Sequence, residues 1–222
     1  MNTTVIVTPP APATPGLAAC EQFGWKRQFG RPTGLLGWAV GHLMAIKNVE
    51  MNQLTAELLD VQPDDHVLEV GFGPGTLIQM LANRATQGCV AGVDLSEVMV
   101  KQATRRNRPF ITAGRVELRQ GIVSYLPYED SRFTKVCAVN SFHHWPAPEA
   151  GLQEVRRVLT EGGLLLLCLR MQLPSPRSLA APGFTESEVA EVQELMRRAG
   201  FHRVRTARRQ LGREVTCVLA NR

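Results

Sequence analysis

Residues 67–75 read Val-Leu-Glu-Val-Gly-Phe-Gly-Pro-Gly, and a second apolar run, Cys89-Val-Ala-Gly-Val-Asp94, ends on a carboxylate. Glycines alternating after a short β-branched run make a tight turn whose backbone N–H groups can approach a ligand closely. A carboxylate that closes the next strand can accept both hydroxyls of a ribose. Together they predict a nucleoside lying across the carboxyl ends of two parallel strands. Spacing and charge narrow the choice. A dinucleotide fingerprint needs G-x-G-x-x-G, and Thr76 stands where its third glycine would be. No Gly-Lys-Ser/Thr follows, as a phosphate loop would require. Glu69, two residues before Gly71, would repel a pyrophosphate and suit a cationic ligand.

A second group of chemistry-bearing residues sits at Asn140-Ser-Phe-His-His-Trp145. A histidine there can act as a base near neutral pH, so His143 and His144 are candidate catalytic residues. The plainer reading, favoured for His144, is that they hydrogen-bond their own loop. No Cys, His or Asp cluster has ligand spacing around them, so no metal is expected. Tyr125 and Tyr128 can face an acceptor or pack at its rim, packing being the commoner role.

The elements that must position these groups follow from the pattern of apolar runs. Strands are expected near 66–71, 89–94, 115–120, 135–140 and 163–170, with helices near 75–86, 96–107, 148–160 and 185–199. Thr185-Glu-Ser-Glu188 fits a capping box and Gly200 a C-cap. Residues 202–209 and 214–220 alternate around Leu211-Gly-Arg213 as a hairpin at the sheet edge. Alternating strands and helices predict an α/β fold, a doubly wound, mostly parallel sheet. Ahead of it, residues 1–16 form a Pro/Thr/Ala-rich tail expected to be disordered. Residues 17–60 read as a helical segment interrupted at Gly30-Arg-Pro-Thr-Gly34, and 61–222 as the catalytic domain. Trp25, Phe29 and Trp38 give the helical segment a spare apolar layer, which suggests a lid over an apolar or aromatic acceptor.

The E-x-G-x-G-x-G run at 69–75 resembles the first motif of the class I S-adenosylmethionine-dependent methyltransferases. Leu126-Pro-Tyr-Glu-Asp130, Asn140 to Trp145 and Leu152-Gln-Glu-Val-Arg-Arg-Val-Leu-Thr-Glu-Gly-Gly163 are similar to later segments of the small-molecule members, the ubiquinone/menaquinone-biosynthesis type above all. The resemblance covers roughly residues 54–222. It implies a Rossmann-like seven-stranded sheet with the last strand antiparallel and S-adenosyl-L-methionine as cofactor. It carries cofactor binding onto Glu69, Gly71, Phe72, Gly73, Gly75, Asp94, Leu95, Met99, Gly121, Ile122, Val123, Asn140 and Ser141. It leaves Trp25, Phe29, Trp38 and His143 to the acceptor. Three positions depart from the family pattern. Ile122 replaces an Asp that contacts the adenine amino group, Thr134 replaces an Asp after Phe133, and Glu161 replaces a Pro before Gly162-Gly163. Only the first touches the ligand.

Bulk properties bound the function. A chain of 222 residues with 44% hydrophobic content suits one α/β domain with a short extension. The net charge is +5, and Arg outnumbers Lys 21 to 4. Arginines concentrate in 101–119 and 197–222, where solvated faces are the expected reading over nucleic-acid binding, since no aromatics interleave with those of the tail. Scattered cysteines at 20, 89, 137, 168 and 217 point to buried thiols in a reducing compartment, so a cytoplasmic address is expected. Residues 1–16 lack a signal-peptide pattern and Leu35–Ile46 is too short to span a bilayer. The expected activity is methyl transfer to a small-molecule acceptor, a secondary metabolite or quinone-like compound, by a monomer or homodimer. The rivals are a lipid-headgroup N-methyltransferase in peripheral contact with a membrane through 25–46, an RNA methyltransferase, and a non-catalytic binding protein.

Overall fold

The computed structural model describes residues 48–173 and 183–222. The expected tail, most of the helical segment ahead of the domain, Cys20, Trp25, Phe29 and Trp38 lie outside these residues. In chain order the elements are α1 (Val49–Leu58), β1 (His66–Val70), α2 (Thr76–Arg84), β2 (Cys89–Asp94), α3 (Glu97–Arg106), α4 (Arg108–Thr112), β3 (Val116–Gln120), β4 (Phe133–Val139), α5 (Pro148–Val158), β5 (Leu159–Arg170), α6 (Glu186–Arg198), β6 (His202–Leu211) and β7 (Arg213–Asn221). A 3-10 turn at Phe142–His144 follows β4.

The seven strands form one sheet in the order β3-β2-β1-β4-β5-β7-β6. The first five are mutually parallel, while β7 runs antiparallel between β5 and β6. The order reverses between β1 and β4, which is where ligands bind in open α/β sheets. Central strands carry near-continuous apolar runs because helices cover both faces. Leu68, Val136, Leu165 and Val218 face one core with α5 and α6, and Val67, Cys137, Leu166 and Cys217 face the other with α1 and α2.

Three boundaries differ from the sequence expectation. Residues 108–112 add a short helix, started by Pro109 in its first turn. The strand expected at 135 begins at Phe133. The helix expected to reach 160 stops at Val158, because Leu159 already pairs with Phe133 and the register shifts before Lys135 meets Leu164. The capping box is present: Thr185 Oγ1 accepts from Glu188 N at 3.2 Å, and Thr185 N donates to Glu188 Oε2 at 2.7 Å. Gly200, at φ +88°, follows α6. Helix α1 packs on α2, β4 and β5, with Met51, Leu54 and Leu59 buried in the second core, so this part of the helical segment ahead of the domain is core.

Candidate active site

The turn after β1 places three glycines at positive φ: Gly71 at +75°, Gly73 at +52° and Gly75 at +75°. Each serves a different need. A Cβ on Gly71 would fall 2.6 Å from the Cβ of Ser141, so glycine lets the β1 and β4 loops meet. Ser141 Oγ then donates to Val70 O at 2.8 Å and joins the two strands at the switch point. A Cβ on Gly73 would meet no atom within 4 Å, and its N–H donates to Asp94 Oδ2 at 2.8 Å. Gly75 is a packing glycine: its Cβ would lie 2.6 Å from that of Ala103 on α3.

A cavity opens above this turn. Its walls come from Glu69 to Pro74 and Thr76, Val93 to Leu95, Met99, Gly121 to Val123, Val139 to Ser141, His144 to Pro146, and Asn48 with Asn52 of α1. Of the residues expected to bind cofactor, Glu69, Gly71, Phe72, Gly73, Asp94, Leu95, Met99, Gly121, Ile122, Val123, Asn140 and Ser141 all line it. Gly75 does not; it stands behind the wall, where it lets α2 approach α3.

Asp94 is held in place at the rim of the cavity. Oδ1 accepts from Ser96 N and Oδ2 from Gly73 N, both at 2.8 Å. Burial pushes its acidity down, and those two N–H groups partly restore it. A carboxylate oxygen has two acceptor sites, so each retains one for a further donor. That leaves acceptors for two hydroxyls, as on a ribose.

Glu69 lies deeper and is only 3% exposed. Burial, reinforced by Asp94, raises its pKa well above the carboxylate range, against the N–H of Ile78. Its Oε2 has no hydrogen-bond partner among the described residues. A buried, unpaired acceptor beside a second carboxylate is electrostatically completed by a cation. A ligand carrying two hydroxyls together with an ammonium and a sulfonium fits both groups.

The loop after β4 supplies the opposite wall. Asn140 takes φ +49°, a left-handed conformation that Asn tolerates better than most residues. The following turn carries both histidines, with their ring centroids 3.9 Å apart. His144 lines the cavity, while His143 lies outside the lining, its ring centroid 6.0 Å from that of Phe184. Desolvation, then His144 and Arg170, push the His143 pKa to about 3, and desolvation lowers that of His144. Both histidines were expected as catalytic candidates, with His143 also toward the acceptor; of the two, His144 borders the cavity. Trp145, with its ring against Gly151, also lines the cavity.

Several lining residues escaped sequence reasoning. Thr76, Val139, Trp145 and Pro146 border motifs that were singled out, and adjacency was their available signal. Asn48 and Asn52 share a helix face at i, i+4 spacing, but no local pattern tells that α1 folds over β4 and β5. Among the described residues, no group of three or more metal-ligating side chains exists. Many arginines of the basic stretches are tied to the protein itself. Arg106 donates to Pro74 O, Arg115 to Ala82 O and Arg119 to Pro127 O, and Arg208 makes a two-pronged contact with Glu186.

Residues 67–163 match the methyltransferase-domain family. Over 162 residues the chain is 33% identical to the uncharacterized methyltransferase YdaC of Bacillus subtilis (strain 168), covering 72% of this chain and 84% of that one. The chain belongs to the methyltransferase family. This methyltransferase is also 29% identical over 169 residues to the O-methyltransferase resE of Aspergillus sclerotiorum, covering 71% of this chain and 62% of that protein. It is 32% identical over 136 residues to the 27-O-demethylrifamycin SV methyltransferase of Amycolatopsis mediterranei (strain S699), covering 61% of this chain and half (50%) of that enzyme. Its fold is similar to that of an S-adenosylmethionine-dependent methyltransferase from Aquifex aeolicus, with TM-score 0.64 and 21% identity over 77% of this chain and 88% of that one. It is similar in fold also to the [4+2]-cyclase SpnF, at TM-score 0.63 and 19% identity over 84% and 82% of the two chains. The methyltransferase is thus a class I enzyme with S-adenosylmethionine as cofactor.

Proposed function

We propose that the cavity holds S-adenosylmethionine with its ribose on Asp94, its adenine between Leu95 and Met99 on one side and Ile122 and Val123 on the other, and its amino-acid end toward Glu69, and that the methyl passes to a small, apolar or aromatic acceptor. The observation that carries this reading is Asp94, a half-buried carboxylate at the cavity rim, locked by two backbone N–H groups with one acceptor site left on each oxygen. The cofactor, when bound, supplies an electrophilic methyl group on a sulfonium. The protein's part is to orient and to desolvate. Glu69 complements positive charge, Asp94 fixes the nucleoside, and backbone around Asn140 and Ser141 frames the transfer path. His144, on the cavity wall, takes the acceptor proton on an imidazole nitrogen.

The acceptor side supports a compact organic substrate. Val139, Trp145 and Pro146 give it apolar surface beside His144. In this reading the helical segment expected at 17–60 supplies the lid over the acceptor; Trp25, Phe29 and Trp38 lie outside the described residues. The names of the resE and rifamycin relatives point to oxygen as the methylated atom, in a secondary metabolite or quinone-like compound. The described cysteines are free thiols, which suits a cytoplasmic setting. No described helix is long and apolar enough to cross a membrane.

The test is S-adenosylhomocysteine release from S-adenosylmethionine with three acceptor sets: a panel of phenols and quinols, phosphatidylethanolamine vesicles, and bulk transfer RNA. Turnover with phenols or quinols alone is expected. Turnover confined to vesicles or RNA would replace this reading with one of its rivals.

A further inference from the structure

Asn52 is only 6% exposed and lines the cavity, yet its side-chain amide has no hydrogen-bond partner among the described residues. Its backbone N–H is spent within α1, donating to Asn48 O at 2.8 Å. Its side-chain amide, on the cavity wall and unspent within the described residues, is open to hydrogen bonds from a ligand. Asn48, one turn earlier, accepts from Arg170 Nη2 at 2.8 Å through Oδ1, and that bond ties the start of α1 to the end of β5.

The direction of the cavity tells which part of a ligand Asn52 meets. Gly121 to Val123 lie beyond β3 at one end, and Asp94 ends β2 next to them. Glu69 follows on β1, and α1 overlies β4 and β5 at the other end. A ligand with adenine at β3 and ribose at β2 must therefore send its remaining arm toward β1, β4 and α1. That arm is an amino acid, with one cationic and one anionic group. Glu69 is suited to the cation and excludes the anion. An amide Nδ2, which carries two N–H donors and no charge, is suited to the anion.

We propose that Asn52 donates from Nδ2 to the α-carboxylate of bound S-adenosylmethionine, so that Asn52 and Glu69 together recognise the zwitterionic end of the cofactor. This rests on the cofactor reading above. Asn48, held by Arg170, fixes the helix turn from which Asn52 projects. The pair makes α1 part of the cofactor site, whereas the glycine turn and Asp94 read only the nucleoside.

The test compares two ligands that share the nucleoside and the sulfur. S-adenosylhomocysteine carries the amino-acid end and 5′-methylthioadenosine lacks it. Calorimetric titration of both into the parent and Asn52→Ala should show a loss of about 10-fold for S-adenosylhomocysteine, the effect of one hydrogen bond to a charged group. Affinity for 5′-methylthioadenosine should stay unchanged. The unliganded thermal midpoint of Asn52→Ala should not fall, since no hydrogen bond within the protein is lost. Should Asn52→Ala fail to fold, the isosteric Asn52→Asp serves: like-charge repulsion should weaken S-adenosylhomocysteine still more and spare 5′-methylthioadenosine. Equal losses on both ligands would overturn the proposal in favour of a structural role. No loss on either would overturn it by placing Asn52 toward the acceptor. A parent that binds neither ligand would instead overturn the cofactor assignment.

Discussion

On the β1–β2 side of the cavity the ligand-facing chemistry is made by backbone: Gly71 and Gly73 at positive φ, the N–H groups of Gly73 and Ser96, and one carboxylate fixed between them. On the β4–β5 side it is made by side chains from separate stretches: Asn48 and Asn52 of α1, and His144 and Trp145 of the loop after β4. The first side is local, since Glu69 to Asp94 are one strand-helix-strand unit. The second depends on contacts across more than a hundred positions, such as Arg170 with Asn48. Backbone geometry suits a ligand that does not vary. Side chains on the loop after β4, such as His144 and Trp145, can be exchanged without disturbing the sheet, which suits the acceptor side, while Asn52 extends the cofactor side onto α1.

The largest expected effect falls on the acceptor side. His144→Asn should lower kcat by about 10²–10⁴-fold with whichever phenol turns over, the usual worth of a general base. His143→Asn should leave kcat close to the parent value. Since burial lowers the His144 pKa, the parent rate should stay flat through neutral pH and fall only below the usual histidine range, as the imidazole gains its proton. A pH–rate profile that breaks above pH 7 and survives His144→Asn would remove this residue from the chemistry.

The next effect separates the glycines of the nucleoside side. Gly75→Ala adds left-handed strain to a 2.6 Å contact with Ala103 and should cost roughly 2–5 kcal/mol of stability. Gly73→Ala meets no protein atom, so it should cost only about 1–2 kcal/mol of strain while weakening cofactor binding more. Thermal midpoints and titrations of both variants check the division; equal stability losses would dissolve it.

These predictions show which half could be read from sequence. The glycine turn and the strand-ending Asp94 were legible because their geometry needs only φ angles and chain order. The role of Gly75 in packing α2 on α3 was not legible, because positive φ alone does not say whether the vacant Cβ position faces a cavity or a helix. Which of the two adjacent histidines borders the cavity was not legible, because no periodic signal marks the 3-10 turn that carries both. The early start of β5 was hidden by the helical pattern of Leu152 to Val158 running into it. Asn48 and Asn52 were invisible for a larger reason: their importance comes from the docking of α1 on the sheet, a tertiary fact.

A smaller effect tests charge at the floor of the cavity. Glu69 has a folded pKa raised by burial, so the unfolded chain loses its proton first as pH rises. Parent stability should therefore fall with a slope of up to about 1.4 kcal/mol per pH unit above the ordinary Glu range. Glu69→Gln should lack that contribution and become the more stable protein at neutral pH without cofactor. Urea unfolding from pH 4 to 8 checks this, and parallel stability curves would mean Glu69 is already ionised and compensated. The smallest effect concerns Ile122, which lines the cavity where related enzymes use an Asp. Ile122→Asp should improve discrimination of S-adenosylhomocysteine against its inosine analogue by about 10-fold, one hydrogen bond's worth. Strong rejection of the analogue by the parent would show that another acceptor already reads the adenine amino group.

The central claim is that a nucleoside lies across β1 and β2 with its ribose on Asp94. Calorimetric titration of S-adenosylmethionine and NAD into the parent and Asp94→Ala tests it most directly. The parent should bind S-adenosylmethionine more tightly than NAD, and Asp94→Ala should lose about 1–3 kcal/mol of that binding while remaining folded. Parent-like affinity in Asp94→Ala, or tighter binding of NAD, would contradict the account.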